Sequence, residues 1–332
     1  STEGLKFDGT FVSAGIFPDM EQTIMVQRDY SLGFITETPS EGLEAYGGKG
    51  TFTSTLSLSN KGLKGNGRID YLASTSLGRD FTFFPDSTRG IVDNYELLAT
   101  AGPTEYPHVK AVGSKMRWLP KKDVMHQRNG LQEFEMYDAI GMRAKGTLSL
   151  SPKALRGRGR IDFLDAQMDS KDFTFKLRKF DADTSDFRLR ASPTSDWAFN
   201  MMNSTALVDF DLQQGNFKLN DPARYFHFEI NKYIAYMDRA TWSIPEKKVE
   251  VRKEQEGANS LMISVHRKQD SLQYYAGSAE FSLLSTVLDI FKVEEMDVAD
   301  ARLYPDSGHV IIDTAANMRI LKNSKLVANR FS

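Results

Sequence analysis

The sequence predicts an all-β protein with an elongated, stacked-sheet or solenoid-like architecture, built from two tandem repeats and a C-terminal β extension. Three observations predict this class: one strand-forming segment occurs twice, apolar residues alternate with polar ones, and turn signals separate short runs along the whole chain. Alternation with period two is typical of strands. Short strands at regular spacing, without long helices, are typical of all-β folds.

The repeated segment covers residues Thr55–Phe84 and Thr147–Lys176, which align without a gap at an offset of 92 residues. Identical residues occupy 17 of the 30 aligned positions. Ungapped tandem copies usually share faces with their neighbours, so the repetition favours a stack over two independent globules. We therefore predict a first repeat unit over residues 1–105, a second over 106–200 and a C-terminal β region over 201–332 that continues them.

Strands within the repeat follow from its alternation. In Gly157–Leu164, Arg160 and Asp162 fall on one face of a strand, whereas Ile161 and Phe163 fall on the other. The first copy repeats this pattern at the equivalent positions. One apolar and one polar face suit a sheet with a single packed side.

Further strands are predicted in the last 130 or so residues, separated by turn residues that include the run Pro305–Gly308. Their ranges are Ala206–Leu212, Lys248–Arg252, Leu261–His266, Tyr274–Phe281, His309–Asp313 and Lys325–Asn329. Helical periodicity is scarce, and only Phe281–Phe291 and Thr314–Asn323 are predicted as short helices.

Composition excludes several classes of protein. The 332 residues carry 42 basic and 44 acidic side chains, a net charge of -2, so we expect no nucleic-acid partner, since nucleic-acid binders usually carry a basic surplus. The absence of cysteine excludes disulfides and cysteine-ligated zinc. The longest apolar stretch is shorter than the roughly 20 residues that cross a bilayer, so no membrane span is expected. The chain starts at Ser1 without an initiator Met, which indicates a processed protein or a piece of a longer one, and we favour the piece.

Two G-x-G pairs occur at equivalent places in the repeats: Gly65 with Gly67, and Gly157 with Gly159. A dinucleotide fingerprint needs a third glycine and a following helix, but here a strand follows. We interpret each pair as a corner or bulge where another backbone approaches closely. Neither a P-loop nor a nucleophile elbow is present, and we predict no cofactor.

Two Arg-x-Asp pairs, Arg68 with Asp70 and Arg160 with Asp162, are the candidate ligand-binding residues. Arginine offers a planar donor fork that suits a sugar or a carboxylate. The alternative is a solvated charge ladder between neighbouring strands, which also limits sheet aggregation. The basic run Lys153–Arg160 is interpreted in the same way, as a solvated face.

Asp181, Asp183 and Asp186 are candidate calcium ligands, because calcium prefers several hard oxygen donors. Their spacing lacks the glycine and the distal glutamate of an EF-hand, so a plain turn is the alternative. The five histidines are scattered and give no zinc-binding spacing.

Several short motifs resemble a family of very large uncharacterised envelope proteins of Bacteroidota. The motifs are Phe17–Met20, Asp29–Phe34, Tyr46–Gly50, Gly62–Gly65, Val298–Ala301 and Pro305–Gly308. The resemblance covers nearly the whole chain and implies that it is an internal piece of a much longer protein. It also implies a location in the cell envelope, periplasmic or associated with the outer membrane. The family brings no assigned activity, so it assigns no site residue.

The C-terminal third is similar in rhythm to lipopolysaccharide-transport proteins of the OstA type, from Tyr236–Asp238 through Trp242 to Lys247–Glu250. Those proteins are open β jelly rolls with an apolar groove. This similarity implies a carrier or scaffold for an amphipathic envelope lipid or glycolipid.

Tandem strand repeats without a catalytic constellation favour a non-enzymatic structural or binding protein of a Gram-negative envelope. Its expected partners are an envelope glycan, a lipid or another envelope protein. Two alternatives stay open: the lipid carrier, and a carbohydrate-binding module or glycan-processing enzyme.

Overall fold

The computed structural model describes residues 4–26 and 30–328, so Asp29 and Asn329 of the predicted motifs lie outside it. The described residues form 29 strands and three single-turn 3-10 helices, which confirms the predicted all-β class. The chain divides into two compact units. Unit 1 comprises Ser1–Gly159 and Thr174–Leu177, and unit 2 comprises Arg160–Phe173 and Arg178–Ser332. The three-part division at residues 105 and 200 stays a prediction.

The strands of unit 1 are mostly antiparallel neighbours in chain order: β1 pairs with β2, β2 with β3, β3 with β5, and each strand from β5 to β9 with the next. Their bounds are β1 (Lys6–Phe11), β2 (Met20–Val26), β3 (Leu32–Glu37), β4 (Leu43–Ala45), β5 (Gly50–Ser59), β6 (Gly62–Tyr71), β7 (Ser74–Phe84), β8 (Ser87–Leu97), β9 (Val109–Leu119), β10 (Val124–Arg128), β11 (Phe134–Met136) and β12 (Met142–Ser151). Two further strands, β13 (Ala154–Phe163) and β14 (Ala166–Phe175), contribute residues to both units.

A line of residues with left-handed backbone crosses the long strands of unit 1 and folds the sheet over. Ser54 in β5 has φ 105°, its partner Gly67 in β6 has φ 146°, and Gly113 in β9 has φ 69°. On either side of this line a strand has different neighbours. The first half of β5 pairs with β4 and the second half with β3, while β9 pairs with β11 and then with β10.

The two layers produced by this fold face each other across an aromatic core. Phe52 and Phe83 lie edge to face at 5.1 Å, and Phe17 packs against both. Each fully buried phenylalanine contributes roughly 1.5–3 kcal/mol through the area removed from water. A polar bond also joins the layers, because the Gln127 amide donates to the buried Ser76 hydroxyl at 3.1 Å.

Unit 2 contains two ladders of strands that both start from β16. Its strands are β15 (Lys179–Arg190), β16 (Trp197–Asp209), β17 (Gln214–Leu219), β18 (Phe226–Phe228), β19 (Tyr233–Ala235), β20 (Arg239–Ser243), β21 (Lys248–Arg252), β22 (Ser260–Ser264), β23 (Gln273–Ala276), β24 (Ser278–Ser282), β25 (Leu288–Phe291), β26 (Met296–Val298), β27 (Ala301–Tyr304), β28 (Val310–Ile312) and β29 (Lys325–Val327). β16 bends at Asn203, where φ is 57°. Its first half pairs with β18 and its second half with β17.

From β16 onward, hairpins join the two ladders in alternation. The first ladder is β17, β20, β21, β24, β25 and β28, and the second is β18, β19, β22, β23, β26, β27 and β29. The ladders face each other, since Phe228 and Phe281 contact at 5.8 Å. The buried Asn231 amide of the second ladder donates to the carbonyls of Thr286 and Ile312 in the first.

Most predicted strands are confirmed. Lys248–Arg252 is β21, and the other five ranges overlap strands of unit 2, with Tyr274–Phe281 divided between β23 and β24. The G-x-G interpretation is also confirmed. A register shift lies between Gly65 and Gly67, and a Cβ on Gly67 would lie 2.1 Å from the Thr53 carbonyl oxygen.

Both predicted helices are wrong. Phe281–Phe291 contains the end of β24, a turn with Thr286 at φ 56°, and β25. Apolar and polar residues alternate on each side of that turn. Read as one continuous segment, the apolar residues of the two short strands have a spacing similar to that of an amphipathic helix. In Thr314–Asn323 only one 3-10 turn forms, Thr314–Ala316, because the chain returns to pair with β28 through Arg319.

Candidate binding surface

The first predicted Arg-x-Asp pair forms a closed group on the outer face of unit 1. The Arg68 Nε donates to Asp70 at 2.8 Å, and the Thr75 hydroxyl of the neighbouring strand donates to the same carboxylate at 2.7 Å. All three side chains lie on the solvent side of β6 and β7. This is the arrangement of a cross-strand polar ladder.

The second pair is arranged differently, in unit 2. Arg160 Nε donates across the strands to Asp169 at 3.1 Å, while Asp162 accepts a hydrogen bond from Gln167 at 2.7 Å. The position of Asp169 corresponds to Leu77 in the first copy, which offers no carboxylate. A ligand at these four predicted residues stays a prediction, and in the structure their polar groups bond to protein neighbours.

The three candidate calcium ligands are not brought together. Register shifts on both sides of Ser185 interrupt the alternation of β15, and the Asp186 carboxylate accepts the backbone N–H of Asn203 at 2.9 Å. Asp183 contributes its backbone carbonyl to the Asn220 amide. Over residues 4–26 and 30–328, no group of three or more His, Cys, Asp or Glu side chains lies in an arrangement that could hold a metal ion.

A row of basic residues, which the sequence interpretation missed, crosses the outer face of unit 1 on one side of the bend. Each member lies directly opposite the next in the strand register. In order from β6 to β12 the row is Lys64, Thr82, Arg89, Arg117, His126 and Ser149, here called the basic row. Three cations and a histidine thus share six cross-strand positions with two hydroxyl groups.

Cations on the adjoining positions enlarge this surface. Lys115 lies directly opposite Arg128. Arg156 and Arg158 are exposed on β13, and the Arg158 carbonyl lies so close to Gly146 of β12 that a Cβ there would clash with it. Over residues 109–159 the sequence has eleven Lys and Arg against four Asp and Glu. The surface is therefore locally basic in a chain that is almost neutral.

The cations of the basic row lack acidic partners. Within the described part of the chain, no carboxylate lies within ion-pair distance of Lys64, Arg89 or Arg117, and the same holds for the adjoining Lys115 and Arg128. Arg89 and Arg117 instead face each other across β8 and β9. Like charges directly opposite each other destabilise a sheet, by up to about 1 kcal/mol for each pair.

The imidazole of His126 reports the resulting positive potential. Burial lowers the pKa of His126 below its ordinary value of 6.5, and the charges of Arg117, Arg158 and Lys122 lower it further. Its Nδ1 is 2.8 Å from the Ser149 hydroxyl. The charged form is disfavoured because the site already holds a surplus of positive charge.

On the other side of the bend the outer face of unit 1 is neutralised by ion pairs. Arg68 pairs with Asp70, and Arg143 pairs with Glu135. His108 lies between two carboxylates, with Nδ1 2.6 Å from Asp138 and Nε2 3.0 Å from Glu96. Burial acts to lower the pKa of His108, but these two hydrogen bonds outweigh it and the pKa is raised.

The corresponding line of positions in unit 2 has the opposite character. From β15 to β25 it reads Asp181, Leu207, Asn216, Thr241, Glu250, Glu280 and Asp289. The position equivalent to Arg89 is Asp181, and its partner is Leu207 in place of a second arginine. The basic row is therefore a property of unit 1 and does not follow from the repeated fold.

A separate pocket of about 630 Å³ lies near the C-terminal end of unit 2, with Ile311, Met318 and Leu321 among its lining residues. Two of its lining residues, Arg319 and His309, already have acidic partners. Arg319 forms two hydrogen bonds to Asp313, at 2.8 and 2.9 Å, and the His309 Nε2 lies 2.8 Å from Asp289. This pairing leaves the pocket without a free charge from these groups.

In the part of the chain that the structure describes, no helix is long and apolar enough to span a bilayer. Comparison of the chain with protein-family models, with curated proteins and with solved structures gives no match. The assignment of function therefore depends on the surface described above and on the resemblance in sequence motifs.

Proposed function

We propose that the chain is a non-enzymatic structural or binding protein of a Gram-negative cell envelope, and that the basic row is its binding surface. The observation that carries the binding role is the set of unpaired cations held in register on one rigid sheet face. Arginines in fixed cross-strand positions are arranged for anions before any ligand arrives, because the strand pairing has already ordered them. The envelope location rests on the sequence resemblance.

The contrast between the two outer faces of unit 1 supports this reading. Beyond the bend, Arg68 and Arg143 each have an acidic partner, as expected for a face that only has to remain soluble. The basic row keeps Arg89 opposite Arg117 at a cost in stability. A stability cost retained at one place is typical of a functional surface.

Cosedimentation of the purified chain with isolated cell-wall sacculi and outer membranes of a Gram-negative bacterium tests the proposal. We expect the wild-type chain to sediment at low salt and to be released as salt screens the charges. The double variant Arg89→Gln/Arg117→Gln should lose most of this binding.

The matched control is Arg267→Gln/Lys268→Gln, which removes the same charge from an exposed turn of unit 2. It should sediment like the wild type. Equal binding by all three proteins, or none by the wild type, would show that the basic row is not the binding surface.

A further inference from the structure

We propose that the basic row binds a linear acidic polysaccharide, which lies across the strands of unit 1 with its anionic groups against Lys64, Arg89 and Arg117. This inference rests on the proposed binding function and adds the class of partner and its direction on the sheet. It starts from the strand register, which places these side chains on one line.

The basic row is one-dimensional and has a short repeat. Neighbouring strands lie roughly 4.8 Å apart, so the four strand steps from Lys64 to His126 span about 19 Å. Beyond the bend, cations of the outer face such as Arg68 and Arg143 are held in ion pairs. On the near side, the adjoining cations Lys115 and Arg128 form a second, shorter line over two strands. A flexible chain with an anion at every residue or every second residue can follow such a line, and a single compact anion would use only one or two of its cations.

Hydroxyl groups within the row favour a sugar polymer. Thr82 and Ser149 lie in line with the cations, and hydroxyls both donate and accept hydrogen bonds, as the neutral groups of a sugar do. Single-stranded nucleic acid is bound largely by stacking of bases on exposed aromatic rings. The six members of the basic row include no aromatic residue apart from His126, and the nearby Phe84 ring has the Arg89 guanidinium over it at 5.9 Å.

Anionic membranes are a weaker match. Peripheral binding to a bilayer combines cations with several apolar side chains that enter the headgroup region. Two large apolar side chains near the row are exposed, Ile91 and Phe84. They lie on opposite sides of Arg89 in the strand register and therefore form no continuous apolar face. The cations are also fixed in a line, whereas a fluid surface of lipid headgroups needs no such order.

An anionic chain in this position would remove the repulsion that the row now contains. Carboxylates between Arg89 and Arg117 would convert a like-charge pair into bridged opposite charges. The same anions would favour the protonated form of His126, which the surrounding cations now disfavour. Binding therefore has a local signature that is separate from affinity.

The experiment is a titration of the chain with oligogalacturonates of increasing length at low ionic strength, followed by calorimetry. We expect affinity to rise steeply until the oligomer spans about 19 Å and slowly beyond that length. Arg89→Gln/Arg117→Gln should weaken binding at least tenfold, and the control Arg267→Gln/Lys268→Gln should leave it unchanged. Neutral dextran should not bind.

Two further readouts keep the test independent of folding of the double variant. The pKa of His126, followed by NMR, should rise when saturating oligogalacturonate is added to the wild type. Without ligand, the single variant Arg117→Gln should melt at a higher temperature than the wild type. When oligogalacturonate is added, its melting temperature should rise by less than that of the wild type.

Tighter binding of oligothymidylate or of phosphatidylglycerol vesicles than of oligogalacturonate would overturn the inference, as would affinity independent of oligomer length. If sacculi and outer membranes still bind through the basic row but oligogalacturonate does not, the inference fails while the proposed function stands. If neither binds, both fail.

Discussion

Gly67 and Gly159 occupy the same place in the two copies of the repeated segment, and both are left-handed, at φ 146° and 130°. In each, a neighbouring carbonyl oxygen lies 2.1 Å from where a Cβ would stand, that of Thr53 or of Lys145. A side chain at either position would therefore meet both backbone strain and a steric clash. The sequence indicated a backbone role for these glycines, because each is followed by a strand and not by the helix that a dinucleotide-binding site requires.

Replacing Gly67 with alanine should lower the free energy of unfolding by roughly 1–3 kcal/mol or more, since strain and clash add. Urea denaturation followed by circular dichroism measures this change. Gly9→Ala is the control, because Gly9 lies on exposed β1 with open space around its Cβ position. If both variants unfold at the same urea concentration, the close approach at Gly67 is not what requires glycine.

His126 gives unit 1 a predictable response to pH. Its folded pKa is lowered below 6.5, so the unfolded chain takes up the proton first as the pH falls. The groups that face it are Arg117, Arg158, Lys122 and the Ser149 hydroxyl, none of them acidic.

We expect the contribution of His126 to the free energy of unfolding to be complete above pH 6.5. It should be lost as the pH falls through the lower pKa of the folded state. Denaturant melts of the wild type and of His126→Gln across this range measure it, and the difference between them should shrink or reverse on acidification. His108→Gln is the comparison with the opposite sign. The raised pKa of His108 gives a contribution that is present below 6.5 and lost as the pH rises through its folded value. A pH-independent difference at His126 would contradict the assignment.

At the level of strands, the alternation of apolar and polar residues was sufficient to locate most elements, and β21 matches its predicted range at both ends. Pairing between distant strands could not be predicted in this way. Arg89, Arg117 and His126 belong to three strands, and only the register of β8, β9 and β10 brings them into one line. The predicted pairs Arg68/Asp70 and Arg160/Asp162 were visible because each lies within one strand. A local pattern thus indicates which face a residue occupies, but not which residues lie beside it.

Asp186 shows that a carboxylate of a predicted metal site can also have a role in the strands. The sequence offers three nearby carboxylates, but the structure uses Asp186 to hold the bend of β16 through the N–H of Asn203. A hydrogen bond to a charged acceptor contributes about 1.5–3 kcal/mol. The carboxylate is therefore explained by the need to switch one strand between two ladders.

Asp186→Ala should lower the melting temperature, and Asp186→Asn should recover part of the loss because its amide oxygen can still accept the bond. Differential scanning calorimetry with and without calcium measures both effects. We expect calcium to leave the wild-type melting temperature unchanged. A rise that depends on Asp181, Asp183 and Asp186 would instead support the predicted calcium site.

Over the whole molecule, near neutrality conceals a strong local difference in charge. The net charge of -2 led to the expectation of no polyanionic nucleic-acid partner, yet residues 109–159 alone have seven more basic than acidic side chains, eleven against four. The net charge is a sum over both units and therefore does not indicate the charge of any one face. The surplus in this stretch can be counted on the sequence, but its alignment on one face became visible only once the strand register was known.

The division into units leads to a prediction about fragments. Unit 1 includes Thr174–Leu177, where the Tyr137 hydroxyl donates to the Lys176 carbonyl at 2.8 Å and the Phe175 ring packs on Gly157. We expect residues 1–177 to give a dispersed amide NMR spectrum and residues 1–159 to give a poorly dispersed one. Size-exclusion chromatography should accompany both spectra, so that aggregation is not taken for unfolding. Equal dispersion would mean that the four residues are dispensable.

The alternation of hairpins between the ladders of unit 2 restricts how its length can change in evolution. Each hairpin after β16 joins the ladder opposite to the one before it. If β20 and β21 alone were lost, two successive hairpins would both have to join the second ladder. Otherwise, every later hairpin would have to join the ladder opposite to its present one, where its apolar side chains would not match those of the core. Deletions and duplications in this region should therefore be tolerated two hairpins at a time, as a block that adds equally to both layers.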